Sequence, residues 1–370
     1  MKKVLLIIGT RPEGVKMAPV LSALRRRPEI RAELCVTAQH RQMLDQVLKV
    51  FEITPEYDLN IMKPGQTLTD ITTEALRGVG SVLDRARPDL VLVHGDTSTA
   101  FAAALAAFYR QIPVGHVEAG LRTNDKYRPF PEEMNRRLVD RLSDLFFAPT
   151  ETSRKNLLAE NIPAEKIHVT GNTVIDALKT TVREEYAHPE LDRIGPGEQM
   201  VLLTAHRREN LGEPLRRIFR AVRRLAEEMP SLHVIYPIHL NPLVRSAAEE
   251  ILSGCERVRL IEPLDVLDFH NFMARADLIL TDSGGVQEEA PSLGKPVLVL
   301  RETTERPEGI DAGTLKLVGT DEESVYRETL RLLTDRKEYG RMSRASNPFG
   351  DGFASERIAD IISSNQRSSS

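Results

Sequence analysis

Three carboxylates in the first half of the chain stand beside predicted strands or at a predicted helix start. Asp96 follows the apolar run LVLV, Glu118 ends the run PVGHVE, and Glu132 comes directly after Pro131 at the start of an amphipathic segment. Carboxylates that meet at one edge of a sheet can supply a general acid and a general base, and their mutual repulsion raises the pKa of one of them. These residues are therefore the candidate catalytic groups, and their spacing does not tell which is the acid and which is the base.

Each carboxylate also has a structural interpretation. Asp96 could simply cap the alanine-rich helix that is predicted to follow it, and Glu132 and Glu133 could complement a helix dipole and pair with arginines one turn later. That alternative is weaker for Glu118, because an acidic residue that ends a buried strand beside a glycine-containing loop is typical of a chemical site.

The tetrapeptide RPEG occurs twice, and each copy places an arginine behind an apolar run. Arg11 and Arg306 are either solvated loop cations or clamps for an anion at the carboxyl end of a strand. In the first copy Pro12 suits the first helical turn, and Glu13 complements its dipole. The sequence has no GxGxxG at this turn or elsewhere, which disfavours a nicotinamide or flavin site.

The second half carries two further candidate binding segments. In MVLLTAHRREN, His206 follows a strand and could bind anionic oxygens or shuttle protons. In DLILTDSGGVQEEAPSLGKP, a strand leads through Ser283, Gly284 and Gly285 into a helix, an arrangement that favours a diphosphate over a plain turn. Glu289, one turn into that helix, could accept hydrogen bonds from a ribose or could lie on a solvated helix face.

Motifs for metal or covalent catalysis are missing from the sequence. It contains no GxxxxGK[ST], HExxH or GxSxG pattern. We therefore expect no metal site and no cofactor.

The elements that must position these residues alternate between short apolar runs and amphipathic stretches, which predicts an α/β fold with parallel strands. The ten predicted strands are 4–8, 33–37, 90–93, 113–118, 145–149, 200–204, 233–237, 258–261, 277–281 and 296–300. They form two series, which predicts two Rossmann-like, doubly wound domains with a cleft between them. We place the N-terminal domain at 1–172, the C-terminal domain at 173–352, and a last helix with a frayed polar tail at 353–370.

Length, charge and cysteine content narrow the class of protein. A chain of 370 residues is long enough for two domains, and its net charge of −4 argues against nucleic acid or a membrane surface as a partner. The two cysteines have no metal-ligand spacing, and no apolar run is long enough for a signal peptide or a membrane span. These features predict a cytoplasmic protein.

Several full motifs resemble those of the bacterial non-hydrolysing UDP-N-acetylglucosamine 2-epimerases. They are GTRPEGVKMAPV, TAQHRQML, HGDTSTAFAAALAAFY, VGHVEAGLRT, YRPFPEEMNRR, TGNTVIDAL, LLTAHRREN, YPIHLNP, LTDSGGVQEEAPSLGKPVLVLRETTERPEG and NPFGDGFAS. The resemblance extends from residue 3 to about residue 362. It implies a glycosyltransferase-B-like fold, a UDP-binding cleft, a homodimer, and a C-terminal helix that returns to the first domain.

The resemblance also implies an activity. The family interconverts UDP-GlcNAc and UDP-ManNAc without a cofactor, in bacteria that use ManNAc for surface polysaccharide. A carboxylate removes the C2 proton while UDP leaves C1, which gives a 2-acetamidoglucal, and UDP then adds back with protonation from the opposite face. Water must be kept out, because an escaping intermediate would turn the enzyme into a hydrolase.

Site residues follow from the resemblance position by position. It implies that Asp96, Glu118 and Glu132 are the catalytic carboxylates, with His206 beside them. The implied substrate contacts also include Arg11 and Lys16 in the first domain, Leu264 and Phe269 at the uracil, Ser283, Gly284 and Gly285 at the phosphates, Glu289 at the ribose, and Arg306 at the anionic part of the nucleotide.

Some members of the family are activated by a second molecule of UDP-GlcNAc. The matching residues are all present: Gln39, Gln42, Glu132, Arg207 and His239. However, Gly65 stands where some regulated members have an arginine. We state allosteric activation as a hypothesis.

Three alternatives remain. A glycosyltransferase of the same fold needs an acceptor site, and the sequence shows no extra loop for one. A nucleotide-sugar sensor would have no use for all three carboxylates. A hydrolysing 2-epimerase that releases free ManNAc usually carries a fused kinase domain, for which this chain has no room.

Overall fold

The computed structural model of the protein describes residues 1–39 and 41–364. The remainder of the predicted frayed tail, from residue 365 on, lies outside these residues. The described chain divides into two compact units: Met1–Thr180 with the segment from Phe349 on, and Thr181–Pro348.

The first unit is built on a seven-stranded parallel sheet in the order β3-β2-β1-β4-β5-β6-β7. Its strands are β1 (Lys2–Ile8), β2 (Ile30–Val36), β3 (Tyr57–Asp58), β4 (Leu90–His94), β5 (Val114–Val117), β6 (Leu145–Ala148) and β7 (Ile167–Val169). Its helices are α1 (Arg11–Arg25), α2 (Arg41–Val50), α3 (Leu68–Ala86), α4 (Ser98–Phe108), α5 (Glu132–Leu142), α6 (Glu151–Ala159), a 3₁₀ turn (Ala164–Lys166) and α7 (Thr173–Thr181).

The second unit has a six-stranded parallel sheet in the order β10-β9-β8-β11-β12-β13. Its strands are β8 (Gln199–Thr204), β9 (Leu232–Pro237), β10 (Val258–Ile261), β11 (Leu278–Thr281), β12 (Val297–Val299) and β13 (Leu315–Leu317). Its helices are α8 (Glu213–Glu228), α9 (Pro242–Leu252), α10 (Val266–Arg275), α11 (Gly284–Glu289), α12 (Pro307–Asp311), α13 (Glu322–Thr334) and α14 (Arg336–Ser343), with 3₁₀ turns at Arg208–Asn210 and Ala290–Leu293.

The last helix, α15 (Ala354–Ser364), packs in the first unit against α1. Ile358 and Ile362 are fully buried in the same apolar cluster as Leu21 and Leu24. Asp176 of α7 accepts the backbone N–H groups of Ala354 and Ser355 at 3.2 and 2.7 Å and so caps the start of α15.

Burial on both faces explains why the strands read as continuous apolar runs. In β1, Val4, Leu6 and Ile8 join one core cluster, whereas Leu5 and Ile7 join another on the opposite face. Helices cover both sides of a parallel sheet, so neither face carries the polar alternation of a half-exposed strand.

All ten predicted strands are present, and the prediction of two Rossmann-like α/β units is confirmed. In each sheet the strand order reverses beside the first strand, at β1/β4 and at β8/β11. Open parallel sheets bind ligands beyond the carboxyl ends of the strands at such a point. None of the helices in the described ranges combines the length and the apolar character that a membrane span requires.

Candidate active site

A cavity of about 660 Å³ lies beyond the carboxyl ends of β1, β4 and β5 in the first unit. Six predicted site residues line it: Arg11, Lys16, Gln39, Asp96, Glu118 and Glu132. The structure therefore brings the three carboxylates together with two cations in one place. Gln42 lies on the exposed side of α2.

Glu13 lines this cavity at its floor and holds the surrounding backbone in place. Its carboxylate accepts the backbone N–H groups of Gly9 at 3.0 Å and Thr10 at 2.8 Å, and the hydroxyls of Thr10 and Thr97, both at 2.8 Å. Burial raises the pKa of Glu13, although these hydrogen bonds work against the rise. The sequence indicated only a dipole partner, but Glu13 is a buried link between the start of α1 and the start of α4.

Gly9 is required here by close approach rather than by a left-handed turn. A Cβ atom on Gly9 would lie 2.3 Å from the hydroxyl oxygens of Thr37 and Thr99. Side chains of neighbouring elements therefore leave no room for a larger residue at this position.

Glu118 lies among three polar side chains. It is paired with the ammonium group of Lys16, accepts a hydrogen bond of 3.1 Å from the side chain of Asn172, and lies 3.6 Å from Nε2 of His94. Burial by itself would raise the pKa of Glu118, but Lys16 and His94 outweigh burial and hold the pKa well below 4.5. Glu118 is therefore ionised at neutral pH.

The backbone of Glu118 is also unusual, with a φ of 67°. A glutamate in the left-handed region costs free energy and persists only where neighbouring contacts impose it. The N–H groups of Glu118 and Ala119 both donate to the carbonyl of Phe147, at 3.1 Å. The strand end thus turns so that the carboxylate faces the cavity.

Asp96 is held by α5. Nε of Arg136 donates to its carboxylate at 3.1 Å, and the side chain of Asn135 donates to its carbonyl at 3.0 Å. The capping interpretation is wrong for Asp96, because Thr97 is the N-cap of α4 and accepts the N–H of Ala100 at 2.9 Å.

Glu132 and Glu133 have different roles. Glu133 is fully buried, pairs with Arg137 at 3.0 Å and Arg136 at 3.4 Å, and accepts two backbone N–H groups from the preceding loop. The structural interpretation is therefore right for Glu133. Oε2 of Glu132 is buried and has no hydrogen-bond partner in the described part of the chain, so it is available to a ligand in the cavity.

In the second unit, Asp282 organises the segment after β8. Its buried carboxylate accepts the N–H groups of His206 and Arg207, each at 2.8 Å, and the side-chain amide of Asn210 at 3.0 Å. The ring of His206 stacks on that of His239, with 4.9 Å between the ring centroids. Burial lowers the pKa of His206, although the nearby Asp282 acts in the opposite direction. The predicted residues His206, Arg207 and His239 therefore lie together.

The SGG segment adjoins Arg306. The guanidinium group of Arg306 is held by Glu288 at 2.9 and 2.8 Å and lies against Gly284, where an added Cβ would meet Nη1 at 2.8 Å. Ser283 is the N-cap of α11 and Gly285 is its second residue. The predicted contacts to an anion thus share one edge of the second sheet.

The remaining predicted residues lie on α11, on α10 or just before α10. Glu289 Oε2 lies 3.5 Å from Nε2 of His270, which argues against a freely solvated helix face. Leu264 precedes α10 and Phe269 lies in its first turn, and both side chains are partly exposed. Within the described residues, no three His, Cys, Asp or Glu side chains are grouped as metal ligands.

Five residues that support the site were not predicted: His94, Asn172, Arg136, Asp282 and Glu288. Each acts through a partner far away in sequence, so spacing along the chain carried little signal. Asp282 and Glu288 lay inside the highlighted SGG segment, and a carboxylate next to a helix start could have been singled out as a backbone acceptor.

Known proteins match nearly the whole chain. A family model described as UDP-N-acetylglucosamine 2-epimerase matches residues 22–363. The UDP-N-acetylglucosamine 2-epimerase of Bacillus subtilis (strain 168) is 61% identical over 360 residues, 97% of this chain and 94% of that protein.

Two crystal structures share the fold of the chain. A Listeria monocytogenes protein, proposed to be a UDP-N-acetylglucosamine 2-epimerase, is 54% identical with a TM-score of 0.95, covering 100% of this chain and 98% of that one. The UDP-GlcNAc 2-epimerase of Neisseria meningitidis, bound to UDP-GlcNAc, is 50% identical with a TM-score of 0.89, covering 98% and 100%.

Proposed function

Since the chain belongs to the UDP-N-acetylglucosamine 2-epimerase family, we propose that it is a non-hydrolysing isomerase that interconverts UDP-GlcNAc and UDP-ManNAc. The observation that carries this proposal is the grouping of Asp96, Glu118 and Glu132 with Lys16 around one cavity. Inversion at C2 needs one group that removes a proton and another that returns it, and this cavity has carboxylates for both tasks.

Glu118 is proposed as the group that removes the C2 proton, because its depressed pKa keeps it ionised. A carboxylate paired with an ammonium group is a weak base, so the pairing with Lys16 must loosen for efficient proton removal. The diphosphate of the substrate is a competing anion for Lys16. As Lys16 shifts toward the phosphates, the pKa of Glu118 rises and the carboxylate becomes a stronger base.

The bonds then change in two steps. In the first step Glu118 takes the C2 proton, and the electron pair of the C2–H bond becomes the second bond of C1=C2. The C1–O bond breaks at the same time, and UDP leaves with the electron pair of that bond. The products are a 2-acetamidoglucal and UDP, and readdition reverses the electron flow with a proton delivered to the other face of C2. Glu132 is proposed to deliver that proton, since its buried Oε2 has no hydrogen-bond partner among the residues that the structure describes.

The second unit is proposed to bind the nucleotide. Arg306, held over Gly284 by Glu288, carries a fixed guanidinium charge for the phosphates, and Ser283 and Gly285 add the start of α11. His206 adjoins this segment through Asp282. Leu264 and Phe269 offer partly exposed apolar surface for the uracil, and Glu289 offers an acceptor for the ribose.

Regulation, assembly and cellular role complete the proposal. We propose activation by a second UDP-GlcNAc, because Gln39, Gln42, Glu132, Arg207 and His239 match the residues implied for that ligand by the family resemblance. We propose a cytoplasmic homodimer that supplies ManNAc units for bacterial surface polysaccharide.

Light scattering at micromolar protein concentration tests the dimer. A particle with the mass of one chain would contradict it.

Conversion from both directions tests the activity. Purified protein with UDP-GlcNAc should produce UDP-ManNAc, and a UDP-ManNAc reaction containing a trace of UDP-GlcNAc should reach the same final ratio. Accumulation of free ManNAc with UDP would identify a hydrolysing enzyme instead. Unchanged substrate from either side would refute the epimerase proposal.

A further inference from the structure

His116 lies at the centre of β5, two residues before Glu118, and is fully buried. Its Nδ1 atom is 2.6 Å from the carboxylate of Asp140, and its Nε2 atom is 2.8 Å from the carbonyl oxygen of Gly95. A carbonyl oxygen and an ionised carboxylate can only accept hydrogen bonds. The geometry therefore favours a ring that donates from both nitrogens.

The charges around His116 support the same state. Arg122 donates to Asp140 at 2.7 Å and to Glu160 at 2.7 and 2.9 Å. Burial by itself would raise the pKa of Asp140, but His116 and Arg122 outweigh burial and lower the pKa. Arg122 is shared between the buried Asp140 and the partly exposed Glu160, so an imidazolium at His116 supplies a second positive charge beside the buried carboxylate of Asp140.

One end of this network fixes the segment that carries Asp96. The carbonyl of Gly95 faces His116, and the N–H of Gly95 donates to the carbonyl of Val117 at 2.9 Å. Gly95 has a φ of 62°, a conformation in which glycine is the favoured residue. Both hydrogen bonds tie the β4–α4 loop to β5, the strand that ends at Glu118.

The other end of the network fixes α5. Glu132, Arg136 and Asp140 are spaced four residues apart and so lie on one face of that helix. Along this face, Glu132 reaches the cavity, Arg136 holds Asp96, and Asp140 contacts His116. A shift of α5 along its axis would move Glu132 and Asp96 relative to Glu118.

We propose that His116, donating from both ring nitrogens to Gly95 and Asp140, is a positioning residue that sets the spacing of the three cavity carboxylates. This inference rests on the proposed function for its effect on turnover, but the state of the ring can be tested without any activity. His116 does not line the cavity, so it acts through the loop of Asp96 and through α5 rather than on the substrate.

The direct test is nuclear magnetic resonance of the whole protein labelled with ¹⁵N-histidine, at neutral pH. Both ring nitrogens of His116 should show the chemical shift of protonated nitrogen, each with its own slowly exchanging proton. Loss of these signals in His116→Gln assigns them. A ring with one unprotonated nitrogen would overturn the inference, whether or not the protein proves to be an epimerase.

The second test separates positioning from general stability. His116→Gln cannot reach both acceptors, so kcat should fall about 10- to 100-fold, as expected when reacting groups move by about 1 Å. The dissociation constant for UDP should stay within about twofold, because the proposed nucleotide contacts lie elsewhere.

His168→Gln is the matched control, since His168 lies on β7 of the same sheet and packs on Phe147. Its turnover should stay near that of the wild type. Equal losses in both variants, unchanged kcat in His116→Gln, or a parallel loss of UDP binding would overturn the positioning role. If His116→Gln does not fold, the ring signals are assigned instead by correlation with the backbone resonances of the ¹³C,¹⁵N-labelled protein, and the protonation of both ring nitrogens then decides the inference.

Discussion

Replacement of Glu118 by glutamine removes one negative charge and changes the side-chain volume little. The variant loses the ion pair with Lys16 and the electrostatic attraction to His94, while Asn172 can still bond to the amide oxygen. Side chains that act as general acid or base supply about 10²- to 10⁴-fold in rate. We therefore expect turnover to fall at least about 100-fold, with UDP binding retained.

The same substitution should destabilise the protein less than the loss of one partner of an ion pair in a dry interior would. Removal of one member of a buried pair costs about 3–5 kcal/mol when the other charge is left in a dry interior. Lys16 and Glu118 line an open cavity and keep 13% and 11% of their side-chain surface exposed, so water can solvate the ammonium group. We expect the free energy of unfolding to fall by less than about 3 kcal/mol.

The pH dependence of that loss has a definite sign. The pKa of Glu118 is lower in the folded than in the unfolded protein, so its contribution to stability is present above about pH 4.5 and is lost as the pH falls through the folded value. The stability difference between wild type and Glu118→Gln should therefore shrink on acidification. Urea unfolding at several pH values measures it.

Glu165→Gln, an exposed residue of the same unit, controls for loss of a carboxylate. It should leave turnover and stability unchanged. Turnover of Glu118→Gln within a few-fold of the wild type would remove Glu118 from the reaction and refute the reasoning.

Three further predictions address the floor of the cavity, the nucleotide contacts and regulation. Glu13→Gln should lower the free energy of unfolding by about 1–3 kcal/mol in urea, because an amide cannot accept all four hydrogen bonds; a stability equal to that of the wild type would contradict this role. Gly284→Ala should weaken UDP binding about as much as Arg306→Ala does, because the new methyl group would displace the guanidinium group. Calorimetry measures both affinities, and wild-type affinity in both variants would exclude an anion site there. The initial rate with pure UDP-ManNAc should rise when a trace of UDP-GlcNAc is added, and an indifferent rate would rule out activation.

The fold could be read from the sequence because most strands are apolar runs that are buried on both faces. The exceptions are β3, β7 and β13, which have only two or three residues and, unlike the equally short β12, are partly exposed, so they do not stand out as apolar runs. They join the sheet edges through pairing with a longer neighbour, and pairing is a property of tertiary structure.

Placement of the site residues was predictable in part for a similar reason. Asp96 and Glu118 follow strands, and the carboxyl ends of parallel strands must meet at one edge. Their partners could not be predicted, since Arg136 and Asn172 lie 40 and 54 residues away along the chain. The different roles of Glu132 and Glu133 likewise depend on which side of α5 faces the cavity, and adjacent glutamates look alike in sequence.

The central claim is that the C2 proton of the nucleotide sugar is removed and replaced within this protein. Incubation with UDP-GlcNAc in deuterated water, followed by nuclear magnetic resonance of the sugar, tests it directly. We predict deuterium at C2 in both UDP-GlcNAc and UDP-ManNAc as the mixture approaches equilibrium. UDP-ManNAc that forms with its C2 hydrogen retained, or substrate that stays intact and unlabelled, would contradict the account.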